Sequence, residues 1–141
     1  MTVALYIGKE GLEEDGRIRE LAASLEKGGC SCYFVFQGGA LREGTDLVLS
    51  VGGDGTFIRS VAKIARREIP LLGINAGRIG FLADVDGEKE IVKAVEAIAS
   101  GNYKVEDRPL LKLSTDGKRF SKFNYAINEI AILKQDTSSM I

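Results

Sequence analysis

The sequence predicts an α/β protein whose doubly wound, mostly parallel sheet is flanked by helices. Short apolar runs typical of buried strands alternate with segments of helical periodicity through residues 1–108. Strands that alternate with helices form a parallel sheet covered on both faces. After residue 108 the apolar residues alternate with polar ones, which is typical of antiparallel strands. We therefore expect an α/β domain over residues 1–108 and the first antiparallel strands of a truncated, β-rich domain over residues 109–141.

Each predicted element has its own local signal. Apolar runs predict strands at residues 3–7, 33–36, 47–51 and 70–74. Apolar positions at helical spacing predict helices over residues 12–27, 58–65 and 91–98. Gly28-Gly29 ends the first helix and Ser100-Gly101 ends the last. Beyond residue 108 we expect strands at 111–113, 120–123 and 125–133, with a tight hairpin turn at 115–118.

The composition argues against several classes of function. Nineteen basic residues face twenty acidic ones, for a net charge of −1, so we expect no nucleic-acid or membrane partner. No apolar run is long enough to span a bilayer and no leader pattern is present, so we expect a cytoplasmic protein. Histidine is absent, so carboxylates or a bound metal must carry any proton chemistry. Cys30 and Cys32 are too close for an unstrained disulfide, and we expect both to be reduced, one buried and one nearer the surface.

Residues 52–56 form a glycine-rich loop, Gly-Gly-Asp-Gly-Thr, between the most apolar strand and a helix. Open α/β sheets bind ligands at the carboxyl ends of their strands, and glycines let the backbone approach a phosphate at a helix N-terminus. A loop that only bound phosphate would avoid the carboxylate of Asp54. A carboxylate beside phosphates suits a divalent cation or a proton from an attacking hydroxyl, so the loop predicts phosphoryl transfer to an alcohol. The alternative is a strand-to-helix turn in which Asp54 merely caps the helix, and Thr56 could also cap it.

Two later segments carry further candidates. Residues 75–82 follow the strand at 70–74 and should open on the same edge of the sheet. In this segment Phe81 either stacks on a base or fills the core, and Asn75 is either a turn residue or a ligand contact. Asn128 and Glu129 interrupt the apolar run at 125–133. They either hold the hydroxyls of a ribose or lie on a strand edge that faces water.

Together these segments resemble the NAD kinase family. The resemblance rests on the Gly-Gly-Asp-Gly-Thr loop, on the segment Gly-Ile-Asn-Ala-Gly-Arg-Ile-Gly-Phe-Leu at 73–82, and on Asn128-Glu129 in a strand. Phosphofructokinases and diacylglycerol-type lipid kinases carry a loop similar to the first of these. The second segment and the Asn-Glu pair are what single out NAD kinases.

The resemblance implies phosphorylation of the 2′-hydroxyl of the adenosine ribose of NAD, which gives NADP. The donor would be ATP or polyphosphate, with Mg²⁺ or another divalent metal, and we assign no permanent metal ligand in the chain. Asp54 would accept the proton from the attacking hydroxyl. The residues implied to contact NAD are Asp54, Gly55, Phe81, Asn128 and Glu129. Those expected to contact phosphate or nucleotide are Gly52, Gly53, Thr56, Arg59 and Asn75.

Members of this family continue into a longer β-rich domain that completes the NAD site. We therefore expect residues 1–141 to be an N-terminal domain fragment that is inactive alone. We also expect a homo-oligomer, either a dimer or a tetramer.

Two alternatives stay open on the sequence. One is another kinase with a similar glycine loop that acts on a lipid or a sugar phosphate, and a lipid kinase would bind vesicles. The other is a non-catalytic, nucleotide-sensing α/β domain of flavodoxin-like or receiver-like shape. A receiver needs an acidic cluster after the first strand, and the segment Gly8-Lys9-Glu10-Gly11 supplies only a poor one.

Overall fold

The computed structural model describes residues 1–64, 67–76, 82, 85, 87–114 and 124–129. The chain forms two compact units, Met1–Glu106 and Asp107–Ile141. The division into domains at residues 1–108 and 109–141 stays a prediction.

The first unit is built on a four-stranded parallel sheet. Its strands are β1 (Thr2–Ile7), β2 (Ser31–Val35), β3 (Leu47–Gly52) and β4 (Leu71–Asn75), in the spatial order β2-β1-β3-β4. From β1 the chain moves to one side of the sheet to make β2, then crosses to the other side to make β3 and β4. The direction of winding therefore reverses between β1 and β3, and the predicted doubly wound parallel sheet is confirmed.

The first unit has three α-helices, of which the first connects β1 to β2, the second connects β3 to β4, and the third follows β4. They are α1 (Gly16–Lys27), α2 (Asp54–Ile64) and α3 (Glu88–Ser100). The single helix predicted over residues 12–27 is in fact a short 3-10 helix at Leu12–Glu14 followed by α1. Asp15 separates the two because its backbone is extended and its side chain accepts the backbone N–H of Arg17, which caps α1. The Arg17 guanidinium, which also bonds to this carboxylate, lowers the pKa of Asp15 below its usual value.

The core lies on both faces of the sheet. One face packs against α1 and α3 through apolar residues of the three strands β1, β3 and β4: Val3, Leu5, Ile7, Leu47, Leu49, Val51 and Ile74. The opposite face, on the α2 side, carries a smaller cluster: Ala4, Tyr6, Tyr33, Val35, Leu41 and Val48. Burial of each large apolar side chain stabilises the fold by about 1.5–3 kcal/mol, so the two clusters fix the positions of the strand ends.

Helix α2 packs against the sheet through a different set of residues from the one predicted. The helical spacing placed Ile58 on the buried face, but Ile58 is 44% exposed. The buried residues of α2 are Thr56, Ser60 and Val61. Thr56 therefore brings a hydroxyl group to the carboxyl end of the sheet, beside Gly8 and Gly52, and Ser60 lies one turn further along α2.

The second unit contains a two-stranded antiparallel sheet. Its strands are β5 (Leu111–Lys112) and β6 (Tyr125–Ala126), with Leu111 opposite Ala126. The predicted strand over 125–133 is wrong at Asn128 and Glu129, which lie beyond β6 and are exposed. Continuing the register would set Pro109 opposite Asn128, and proline has no amide N–H to donate to a strand partner. The predicted turn at 115–118 and the strand at 120–123 lie outside the described residues.

Two smaller expectations concern the cysteines and the membrane. Both cysteines are free thiols, Cys30 buried and Cys32 half-buried, as predicted. Cys30 immediately precedes β2 and Cys32 lies within it. Among the described helices, none is both long enough and apolar enough to cross a bilayer.

Candidate functional site

The candidate site lies where the winding of the sheet reverses. The backbone N–H of Gly8, directly after β1, donates to the carbonyl of Val51 in β3 at 3.0 Å. The loops that leave these two strands are therefore neighbours. In open α/β sheets this switch point, at the carboxyl ends of the strands, is where ligands bind.

The glycine loop connects β3 to α2 with almost no intervening chain. Gly52 is the buried last residue of β3, and Gly53 is exposed. The carbonyl of Gly53 accepts the backbone N–H groups of Thr56, at 2.9 Å, and of Phe57, at 3.2 Å, and so begins α2. Asp54 is the first residue of that helix and is half-buried. Its carboxylate thus lies at the positive end of the helix dipole.

Asp54 contacts the segment that follows β4. The backbone N–H of Leu82 donates to Oδ1 of Asp54 at 3.0 Å. The two glycine segments that the sequence singled out are therefore connected through the predicted catalytic carboxylate. The connection fixes how the carboxylate is oriented at the head of α2.

Asn75 is the last residue of β4 and is 7% exposed. It pairs in register with Gly52, so the ends of β3 and β4 are level. Its backbone N–H donates to the carbonyl of Val85 at 2.8 Å, and Ile74 forms a parallel bridge with Val85. Asn75 is thus the end of a strand rather than part of a turn.

Thr56 does not cap α2, since the helix begins two residues earlier, and the prediction of a threonine cap is wrong. Its side chain is 5% exposed and packs between Gly8, which follows β1, and Gly52, which ends β3. A Cβ on Gly8 would lie 2.6 Å from Cγ2 and 2.8 Å from Cβ of Thr56. A Cβ on Gly52 would lie 2.5 Å from Oγ1 of Thr56, and Gly52 has a φ of +152°, which favours glycine. Only glycines at positions 8 and 52 therefore let Thr56 occupy this space.

Arg59 lies one turn into α2, on its exposed side. Its Nη2 donates to Oγ1 of Thr56 at 3.2 Å. Its Nη1 would lie 3.5 Å from a Cβ built on Gly55, so the guanidinium lies over the exposed Gly55. A cation is therefore present beside the glycine loop, about 1.4 turns along α2 from Asp54.

The remaining predicted site residues fall elsewhere. Phe81 lies outside the described residues. Asn128 and Glu129 are exposed residues of the second unit.

The sequence pattern missed two groups that the structure brings to Asp54 and Thr56. One is Gly8, which follows β1 as directly as Gly52 ends β3. A strand order with its reversal between β1 and β3 would have identified Gly8 as a switch-point residue, but the sequence does not give strand order. The other is the backbone N–H of Leu82, which carries no side-chain signal.

Within the described ranges, no three Cys, Asp or Glu residues cluster closely enough to hold a metal ion. Magnesium usually keeps several waters and takes one or two protein carboxylates together with substrate phosphates. A single carboxylate at the head of a helix, such as Asp54, fits that mode of binding.

An open parallel sheet with a glycine-rich loop at its switch point is typical of α/β domains of the nucleotide-binding class. Residues 39–103 match the family described as the ATP-NAD kinase N-terminal domain. The NAD kinase of Bacteroides fragilis is 50% identical over 96 residues, which cover 68% of this chain and 33% of that protein. The NAD kinase of Porphyromonas gingivalis is 35% identical over an alignment 157 residues long, which covers 99% of this chain and 54% of that protein.

The fold of a solved relative agrees with these sequence matches. The crystal structure of an NAD kinase from Archaeoglobus fulgidus in complex with ATP aligns with a TM-score of 0.55 and 27% identity. The alignment covers 72% of this chain and 38% of that one. The chain is therefore homologous to NAD kinases, and over residues 39–103 it matches their N-terminal domain. It spans between a third and just over half of the length of the two bacterial relatives.

Proposed function

We propose that this chain is the nucleotide-handling part of an NAD kinase. The reaction is transfer of a phosphoryl group from ATP or polyphosphate to the 2′-hydroxyl of the adenosine ribose of NAD. The observation that carries the proposal is the position of Asp54, at the switch point, at the head of α2 and bonded to Leu82 of the following glycine segment. Homology to NAD kinases supports the choice of acceptor.

Asp54 is the proton acceptor in this proposal. A general base must lie within hydrogen-bonding distance of the proton that it takes, and its orientation must be fixed. The hydrogen bond from the Leu82 N–H holds the carboxylate in one orientation at the edge where a ligand would enter. In the chain itself no histidine competes for this role.

The phosphates of the donor or of NAD contact the glycine loop and Arg59. Gly53 and Gly55 are exposed, so a ligand can approach their backbone closely, and Gly55 contacts NAD through its main chain. The Arg59 guanidinium beside Gly55 pairs with phosphate oxygens, a geometry that suits two parallel hydrogen bonds. Gly52 and Thr56 hold this loop in place, and direct contact of either with phosphate stays a prediction.

The acceptor ribose and the adenine contact residues that the family resemblance implies. Asn128 and Glu129 hold the ribose hydroxyls, and their exposure leaves both side chains accessible to a ligand. Phe81 lies against the adenine, and Asn75, at the end of β4, contacts phosphate or nucleotide. A divalent metal, with Asp54 as one ligand, would neutralise charge on the donor phosphates. The active protein is a homo-oligomer, a dimer or a tetramer.

A chimera tests the proposal. Residues 1–141 replace the matching segment of the Bacteroides fragilis NAD kinase, and NADP formation from NAD, ATP and Mg²⁺ is measured by chromatography. We expect the chimera to make NADP and its Asp54→Asn variant to lose most of that activity. A chimera that folds by thermal melting but makes no NADP, while the intact relative does, would refute the assignment.

A further inference from the structure

The buried hydroxyl of Thr56 accepts a hydrogen bond from Arg59, an exposed residue of the same helix. The Thr56 side chain is buried between Gly8 and Gly52, and the Arg59 guanidinium reaches Oγ1 from the exposed side of α2. Threonine is β-branched and has few χ1 rotamers, and the two glycines leave no space for it to turn. Oγ1 is therefore a rigid acceptor.

Arg59, in contrast, is a long side chain on the exposed side of a helix, where many rotamers are open to it. It donates a hydrogen bond to Thr56, and no ion pair among the described residues includes it. The guanidinium has five N–H donors, of which one is used by Oγ1. A fixed cation with donors to spare beside Gly55 is what a phosphate group requires.

We propose that Thr56 is a positioning residue, whose buried hydroxyl selects the Arg59 rotamer that presents the guanidinium to a nucleotide phosphate over Gly55. The phosphate part rests on the proposed function, whereas the positioning part does not. The role explains why a hydroxyl is needed at position 56. A valine would fill the same space but give Arg59 no acceptor, and a serine would keep the acceptor.

The test uses residues 1–141 without ligand. The ¹⁵N heteronuclear NOE of the Arg59 Nε–H group is measured in the parent chain and in Thr56→Val, Thr56→Ser and Ser60→Ala. Ser60→Ala is the matched control, because it removes another buried hydroxyl of α2, one that donates to the carbonyl of Thr56 and not, among the described residues, to Arg59. We expect a rigid Arg59 in the parent, in Thr56→Ser and in Ser60→Ala, and a flexible one in Thr56→Val.

A titration with inorganic tripolyphosphate, followed by the same spectra, tests the phosphate part. We expect Thr56→Val and Arg59→Gln each to weaken binding by about tenfold or more, as for loss of one charge-assisted hydrogen bond. The double variant should bind no more weakly than Arg59→Gln alone, since both changes remove the same contact. If Thr56→Val does not fold, Thr56→Ala removes the same acceptor and must release Arg59 in the same way.

Three results would overturn the inference in whole or in part. An Arg59 that is already flexible in the parent, or that stays rigid in the folded valine and alanine variants, refutes the positioning role. A released Arg59 without any change in tripolyphosphate binding refutes the phosphate contact. None of these three results changes NADP formation by the chimera, so failure of this inference is distinguishable from failure of the proposed function.

Discussion

The backbone N–H of Leu82 donates to Oδ1 of Asp54 at 3.0 Å, across the gap between the loops that follow β4 and β3. A main-chain donor of this kind does not depend on the identity of residue 82. It depends on where the backbone of Leu82 lies, between Asn75 and Val85 in the sequence, whose main chains bond to each other. The orientation of the candidate base is therefore set by a main-chain contact.

Replacement of Asp54 by asparagine should separate catalysis from folding. The side-chain carbonyl of asparagine can still accept the Leu82 N–H, so we expect the fold and much of the nucleotide affinity to be kept. Loss of a general base lowers turnover by about 10²–10⁴-fold. The measurement is steady-state NADP formation by the chimera, with the melting temperature as the control for folding. Turnover within a few-fold of the parent would leave Asp54 as a turn residue only.

Alanine at Gly8 or Gly52 should destabilise the first unit. At both positions the new Cβ would meet the Thr56 side chain at less than 3 Å, and at Gly52 the positive φ adds strain. We expect each change to lower the free energy of unfolding by about 1–3 kcal/mol, as in other overpacked sites. Gly53→Ala is the matched control, because a Cβ on Gly53 meets nothing within 4 Å. Urea unfolding measures all three, and equal losses at positions 8, 52 and 53 would contradict the packing argument.

The thiol of Cys32 should make the stability fall at alkaline pH. Burial, with the charge of Glu26 as the next cause, raises the pKa of Cys32 to about 11 from its ordinary 9.0. Between these values the thiol ionises in the unfolded chain but not in the folded one, which favours unfolding. We therefore expect the free energy of unfolding to decrease as the pH rises from about 9 to about 11.

Comparison with Cys32→Ala isolates this contribution from the titration of lysines and tyrosines. The difference in unfolding free energy between the parent and the variant should change through that pH range and be constant below it. Slow alkylation of Cys32 by iodoacetamide at pH 8 is the second expected result, because the thiolate is the reactive form. A difference that is flat up to pH 11, together with fast alkylation, would show that Cys32 ionises normally.

Residues 1–141 alone should make no NADP and should bind NAD weakly if at all. Phosphoryl transfer requires acceptor, donor and metal to be positioned together, and the chain spans between a third and just over half of its two bacterial relatives. We expect dimers or larger species, because β5 and β6 pair over only two residues and Leu111 is 50% exposed. A coupled assay and a calibrated sizing column test both expectations. Rapid NADP formation by a monomer would mean that the active site is complete before residue 141.

The fold of the first unit could be predicted because local pattern and burial agree there. Every residue of β3 is buried, so the strand is a continuous apolar run, and the buried Ile18, Leu21 and Leu25 of α1 recur at helical spacing. The second unit was predicted less well. The apolar run at 125–133 looked like one strand, but Pro109 on the opposite strand ends the pairing, which is a property of the partner rather than of the run itself.

The site was predictable as a set of loops but not as a set of contacts. The glycine motif locates Asp54 and Arg59 in the first two turns of one helix, and sequence alone is enough for that. The packing of Thr56 against Gly8 depends on which strands are neighbours, and the bond from Leu82 depends on a backbone group. Neither contact can be recognised from the residue types and their spacing in the sequence.

Gly8 and Thr56 are far apart in the sequence, yet their contact exists only when β1 and β3 already lie side by side. The site is therefore complete only when the two central strands have paired. A ligand that binds there binds the folded chain and not the unfolded one, so it should raise the free energy of unfolding as its concentration rises. In a cell, nucleotide concentration would then shift the fraction of molecules that is open to proteases.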